Sequence, residues 1–157
     1  MNTNDILYKI HKALNLSLEE MHKAYELEKY EISQEHIEAL LKKHQDKTFK
    51  ACSYEELGVF LDGLVTLKRG PSPKKPEGNN SVELSNNLIL KKLRIALELK
   101  EAETEIIFAL GEATLSKQAL KSLFRKEGHK NFKACSDALL DAFLNGLDEF
   151  YFVGVVE

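Results

Sequence analysis

The chain has no tryptophan, three prolines, eight glycines and two cysteines in 157 residues. Glycine and proline are too few for a collagen-like or low-complexity chain. Two cysteines do not make a disulfide scaffold, and such usage fits a reducing, cytoplasmic compartment. No apolar run approaches the roughly 18 residues of a membrane helix, and no basic-then-apolar leader opens the sequence. An excess of one charge is lacking too: 22 Lys and Arg face 25 Asp and Glu, a formal net charge of −3. That balance offers no bulk attraction for nucleic acid or acidic membrane, so such binding needs a local patch.

What is present is a duplication. A shift of 83 positions lays Asn4–Leu64 on Asn87–Leu147 without a gap, and 23 of the 61 aligned residues are identical. Phe49-Lys50-Ala51-Cys52-Ser53 falls on Phe132-Lys133-Ala134-Cys135-Ser136, and Phe60, Leu61, Gly63 and Leu64 fall on Phe143, Leu144, Gly146 and Leu147. Repeats of this kind are read before any local pattern. The copies occupy residues 1–68 and 86–150. Between them, 69–85 holds all three prolines (Pro71, Pro73, Pro76) and reads as an extended linker reaching at most about 55 Å. Residues 151–157 form an apolar tail with no counterpart, expected to dock in its own core or, less favoured, to act as a partner-binding strand.

Apolar spacing predicts four short helices per copy. The faces are Ile6, Leu7, Ile10, Ala13 and Leu14; Met21, Ala24 and Tyr25; Ile37, Leu40 and Leu41; and Leu57, Phe60, Leu61 and Leu64, each with its equivalent in copy two. Ser17, Ser33 and Ser53 stand at N-cap positions, and Glu20 and Glu56 lie three residues after two of them, the capping-box spacing. Leu16 with Met21, Ile32 with Ile37 and Cys52 with Leu57 bracket the serines at staple spacing. Copy two keeps Ser116 and Ser136 but has Lys100 where copy one has Ser17. A copy of this size is near the lower limit for folding alone. The expected fold is therefore all-α, two tandem four-helix repeats packed with approximate two-fold pseudo-symmetry. Gly63 and Gly146, costly inside helices, mark a close crossing.

Chemistry is sparse. Cys52 and Cys135 suggest a paired thiol or a shared metal, but their staple positions favour buried packing. His11, His22, His36, His44 and His129 have no ligand spacing, although His36 and His44 could share a helix face. There is no phosphate-cradling glycine loop, nucleophile elbow or zinc-protease motif. Neither catalytic residues, nor a cofactor, nor a metal is expected. Two sets of exposed polar residues remain. Lys47, Lys50, Lys130, Asn131 and Lys133 are the candidate surface of a non-enzymatic protein-interaction module that binds another protein or itself. Lys42, Lys43, Lys117, Lys121, Arg125 and Lys126 are the candidate phosphate grip of the alternative, a nucleic-acid-binding protein with paired basic patches. Lys117, Lys121 and Arg125 share a face at i, i+4, i+8. The second and third helices invite comparison with helix-turn-helix, but Glu28–Ser33 is longer than that motif's turn.

Asn86-Asn87-x-x-Leu90-Lys91-Lys92-Leu93-Arg94-Ile95-Ala96-Leu97, followed by His129-Lys130-Asn131-Phe132-x-x-Cys135-x-Asp137-x-x-Leu140-x-x-Phe143-Leu144-x-Gly146-Leu147, resembles the YehS-like family of bacterial proteins. The resemblance covers both copies. It implies two copies of a domain of unknown function and a bacterial, cytoplasmic origin, and it carries over no catalytic residue, cofactor or partner.

Overall fold

The computed structural model describes residues 2–70 and 84–156, with side chains to Tyr151. Among these the chain is all helical: α1 (Thr3–Ala13), α2 (Leu18–Leu27), α3 (Gln34–Leu40) and α4 (Tyr54–Arg69), then α5 (Asn86–Ala96), α6 (Glu101–Leu110), α7 (Lys117–Leu123) and α8 (Asp137–Val156). Four helices per repeat, in tandem, agree with the apolar spacing. The expected serines start them. Backbone N–H groups of Glu20, His36, Glu56, Ala119 and Leu139 donate to Ser17, Ser33, Ser53, Ser116 and Ser136 at 2.9–3.1 Å. The Glu20 and Glu56 carboxylates accept in return from the N–H groups of Ser17 and Ser53, closing both capping boxes. At Lys100 only the return bond exists, from its N–H to Glu103.

Within each repeat the second helix lies on the fourth, α2 on α4 and α6 on α8. Glycine allows the approach: a Cβ on Gly63 would overlap the backbone carbonyl of Ala24, and one on Gly146 that of Ile107, the residue equivalent to Ala24. Beside each crossing lies an equivalent pair of rings, Tyr25 with Phe60 at 5.9 Å and Phe108 with Phe143 at 5.0 Å.

Between repeats, α1 packs on α8 while α5 packs on α4, so each first helix is covered by the other repeat's fourth. Together with the contacts of α1 with α4 and of α5 with α8, these close a ring of four helices, and one hydrophobic cluster runs through both repeats. Lysines at equivalent positions tie the ring. Lys9 Nζ donates to Asp141 at 2.7 Å and to Asn145 at 2.9 Å, and Lys92 Nζ donates to Asp62, the equivalent of Asn145. Arg69, ending α4, donates to the Ile95 carbonyl at 3.0 Å near the end of α5.

The structure moves two boundaries. Residues 71–83 of the expected linker lie outside the described residues, but its ends are ordered parts of helices: Arg69 belongs to α4, and Ser85 caps α5 by accepting from Leu88 N–H at 3.1 Å. The apolar end from Tyr151 to Val156 is helical backbone continuous with α8, not a strand. Helix α4 stops at Gly70 with φ 86, whereas the equivalent position is Val153, which supplies no left-handed stop. Phe150 and Tyr151 pack against the core.

Gly63→Ala and Gly146→Ala should each cost about 2–3 kcal/mol, because the added methyl meets backbone that cannot swing aside. Gly58→Ala, in the same α4 but with nothing within 4 Å of the new methyl, should be neutral or up to about 1 kcal/mol stabilising. Urea unfolding of the three variants distinguishes them; equal losses at 58 and 63 would refute the close crossing.

Candidate functional site

The identical segments Phe49–Ser53 and Phe132–Ser136 cross from the third helix of each repeat to the fourth without helical hydrogen bonds of their own. One asparagine on each first helix holds them. Asn4 Nδ2 donates to the carbonyls of Leu40 and Lys50, both at 2.9 Å, and its Oδ1 accepts from Cys52 N–H at 2.9 Å. Asn87 does the same with Leu123, Lys133 and Cys135, at 2.9, 2.9 and 2.8 Å. The preceding residue adds a bond to the cysteine carbonyl, from Thr3 Oγ1 at 2.5 Å and from Asn86 Nδ2 at 3.0 Å. Backbone groups that neither helix nor sheet pairs are thus met by side chains. The sequence reading overlooks these asparagines as anchors. The signal for them is a polar residue kept identical in both copies on an amphipathic helix.

The cysteines are packing residues. Both are buried and unpaired, and each thiol faces the carbonyl of the next serine at 3.4 Å. Burial, with Glu56 nearby, pushes the Cys52 thiol up to about 12; burial, with Asp137 nearby, pushes Cys135 up to about 11. Thiols of that character are poor nucleophiles. His44 does not share a face with His36, because α3 ends at Leu40 and His44 lies in the following loop, its ring 5.0 Å from that of Phe49. His36 Nε2 sits 3.0 Å from Glu56, a pair that repeat two lacks, having Ala119 and Leu139 there. Among the described residues no three His, Cys, Asp or Glu side chains gather as a metal site would require.

The candidate surface residues are all exposed. Lys47 and Lys50 lie on the loop between α3 and α4; Lys130, Asn131 and Lys133 lie on its equivalent between α7 and α8. The candidate phosphate grip divides. Lys42 and Lys43 border an open cleft of about 870 Å³ between the start of α1 and the α3–α4 loop, beside Asp5, Tyr8, Asp46 and Phe49. Asp46 accepts from the hydroxyl and N–H of Thr48 at 2.6 and 2.8 Å, which, with Lys42 nearby, holds its carboxyl below the usual range. A carboxylate therefore stands among these lysines. In repeat two, Lys121 and Arg125 border a different cleft, of about 210 Å³, with Arg94, Glu101, Leu120 and Phe124. The Arg94 guanidinium lies 4.7 Å over the Phe124 ring, and its Nε donates to the Leu99 carbonyl at 3.1 Å. Lys117 and Lys126 are exposed on and just beyond α7. The two basic groups coincide only in part: Lys42 and Lys43 stand opposite Arg125 and Lys126, but Lys117 and Lys121 stand opposite Gln34 and Glu38.

An all-helical chain made of two repeats, each held by an asparagine-anchored crossing segment, defines a class of duplicated helical-domain proteins. The chain belongs to the family described as "Protein of unknown function (DUF1456)", which matches residues 3–70 and 86–151, one match per repeat. It is similar to "Uncharacterized protein YehS" of Escherichia coli (strain K12), 33% identical over 147 residues that cover 94% of each chain. No solved structure matches.

Asn4→Ala and Asn87→Ala should each destabilise by about 2–4 kcal/mol, since each strands two carbonyls and an N–H; chemical denaturation measures this, and a loss below about 0.5 kcal/mol would refute the anchoring role. Both thiols should resist alkylation at pH 8 in the folded protein and react quickly in denaturant. Because the fold favours their protonated form, they support stability below the ordinary thiol pKa. That support is lost as pH rises through about 11 and about 12, visible as alkaline weakening that a Cys52→Ala, Cys135→Ala variant shows less strongly.

Proposed function

We propose that the protein is a non-enzymatic interaction module, working in the bacterial cytoplasm, whose two crossing loops present the same contact to another protein or to a second copy of the chain. The observation that carries this reading is the recurrence of exposed lysine. Lys47 and Lys50 recur as Lys130 and Lys133, in copies that differ at most aligned positions. None of the four makes an ion pair among the described residues. The buried parts of the segment are explained by packing and by the asparagine anchors; the lysine side chains are not. The asparagine bonds fix the backbone that carries Lys50 and Lys133, so these cations are presented in a set direction and lose less freedom on binding. An acidic protein surface is the complement they suit. Two unpaired cysteines, and no helix among the described residues long and apolar enough to cross a membrane, support the compartment.

Replacing Lys130, Asn131 and Lys133 by alanine together, and Lys47 with Lys50 in a second variant, should leave the melting temperature within about 2 °C and remove cross-linked partners from cells. Light scattering of the purified chain reads self-association in the same variants. Retention of every cross-linked partner and of the oligomeric state in both variants would place the contact elsewhere.

A further inference from the structure

The two repeats serve as each other's control, because their shared scaffold leaves surface charge free to differ. Over residues 34–50, four lysines meet three carboxylates, Glu35, Glu38 and Asp46. Over the equivalent 117–133, five lysines and Arg125 meet a single carboxylate, Glu127. The changes run mostly one way. Gln34, Glu38, Asp46, His11 and Tyr8 stand opposite Lys117, Lys121, His129, Arg94 and Lys91, whereas Leu18 opposite Glu101, His36 opposite Ala119, His44 opposite Glu127 and Lys12 opposite Ile95 run against them. Nothing in the packing calls for the difference, since the same helices and the same anchoring bonds occur in both halves.

We propose that the second repeat, and not the first, binds the phosphodiester backbone of a nucleic acid along α7 and the loop that follows it. Arg94 is the ordered part of that surface. Its Nε is committed to the Leu99 carbonyl and its plane rests on Phe124, so the remaining guanidinium N–H groups stand ready beside the cleft that Lys121 and Arg125 border. A planar, pre-oriented fork of this kind suits phosphate oxygens. The cleft, about 210 Å³, is smaller than the roughly 300–1,000 Å³ that encloses a whole small molecule. It suits one unit of a chain that continues over Lys117 and Lys126, both exposed. Glu101 Oε2 is buried at this cleft without a donor. Bare phosphate leaves that acceptor unmet, whereas a sugar hydroxyl or a base amino group beside the phosphate supplies the missing hydrogen. The surface goes beyond the interaction-module reading and does not rest on it: Lys47, Lys50, Lys130 and Lys133 take no part.

The test is fluorescence anisotropy of the full chain with labelled single-stranded RNA and DNA and with duplex, at about 50 and about 200 mM salt. Binding at the lower salt that weakens steeply at the higher is expected. A variant combining Arg94→His, Gln118→Glu and Lys121→Glu carries residues that the same scaffold already holds at positions 11, 35 and 38. It should bind about tenfold or more weakly, with a salt slope lower by about one for each phosphate that no longer meets a cation. Lys42→Glu with Lys43→Glu should change affinity less than about twofold. Should the first variant fold poorly, Lys117→Gln with Lys126→Gln, both exposed, should lower affinity and slope without touching the cleft. Absence of binding at about 50 mM salt, or an equal loss from the first-repeat variant, overturns the proposal. So does polyglutamate displacing the oligonucleotide at equal charge, which would assign the surface to acidic protein.

Discussion

Each set of four helices is near the lower limit of size for a stable core of its own, and the molecule crosses its first helices over: α1 is covered by α8 and α5 by α4. Every other contact works around that exchange. Helices α4 and α8 must each serve two neighbours, the opposite repeat's first helix and their own repeat's second. Gly63 and Gly146 let the second helix come close enough for both packings to coexist in one continuous core. Lys9 and Lys92 then set the register of the exchange, because each must reach a polar side chain on the opposite fourth helix while the rest of its helix buries Ile6, Leu7 and Ile10 or their equivalents.

Helix positions are legible because two independent local signals, serine caps and apolar staples, mark the same boundaries, and a third, buried glycine, marks the crossing. Legibility fails where one signal stands alone or is overridden. Ser85 reads as linker because proline and glycine dominate its neighbourhood, yet Leu84 and Ile89 bracket it at the same staple spacing and both are buried. The β-branched end reads as strand-like, but backbone already committed to helix continues where nothing stops it. His44 falls on a helix face only by a periodicity that the seven residues of α3 are too few to sustain. For the candidate surfaces, exposure of the lysines follows from composition and spacing. Their partition between two unlike clefts does not, because Arg94 and Glu101 join Lys121 and Arg125 from helices that precede α7, and sequence spacing carries no record of that meeting.

The division of labour between Asn4 and the lysines near it, and between Asn87 and its neighbours, separates what holds the chain from what it shows. Polar atoms of the asparagines face inward to satisfy crossing backbone, so the segments need no regular secondary structure to be well defined. Their outward residues are then released from structural duty. This is the condition under which one copy can acquire charge that the other does not have while the cysteine, the phenylalanine and the anchors stay the same.

The bond from Lys9 to Asp141 spans 132 residues of chain, and this has a consequence for how the molecule comes into being. During synthesis α1 leaves the ribosome before the other seven helices described, but the helix that covers it, α8, emerges after the rest. At about 5–20 residues per second the apolar stripe of Ile6, Leu7 and Ile10 waits on the order of ten seconds for its partner. Until then repeat one can close α2 on α4, and α5 can cover α4 once it emerges, but the centre beneath α1 stays open. The nascent chain therefore carries a sticky first helix from the emergence of α1 until that of α8. Its shelter in that interval must come from provisional contacts, from a chaperone, or from a neighbouring nascent copy that offers the same fourth helix.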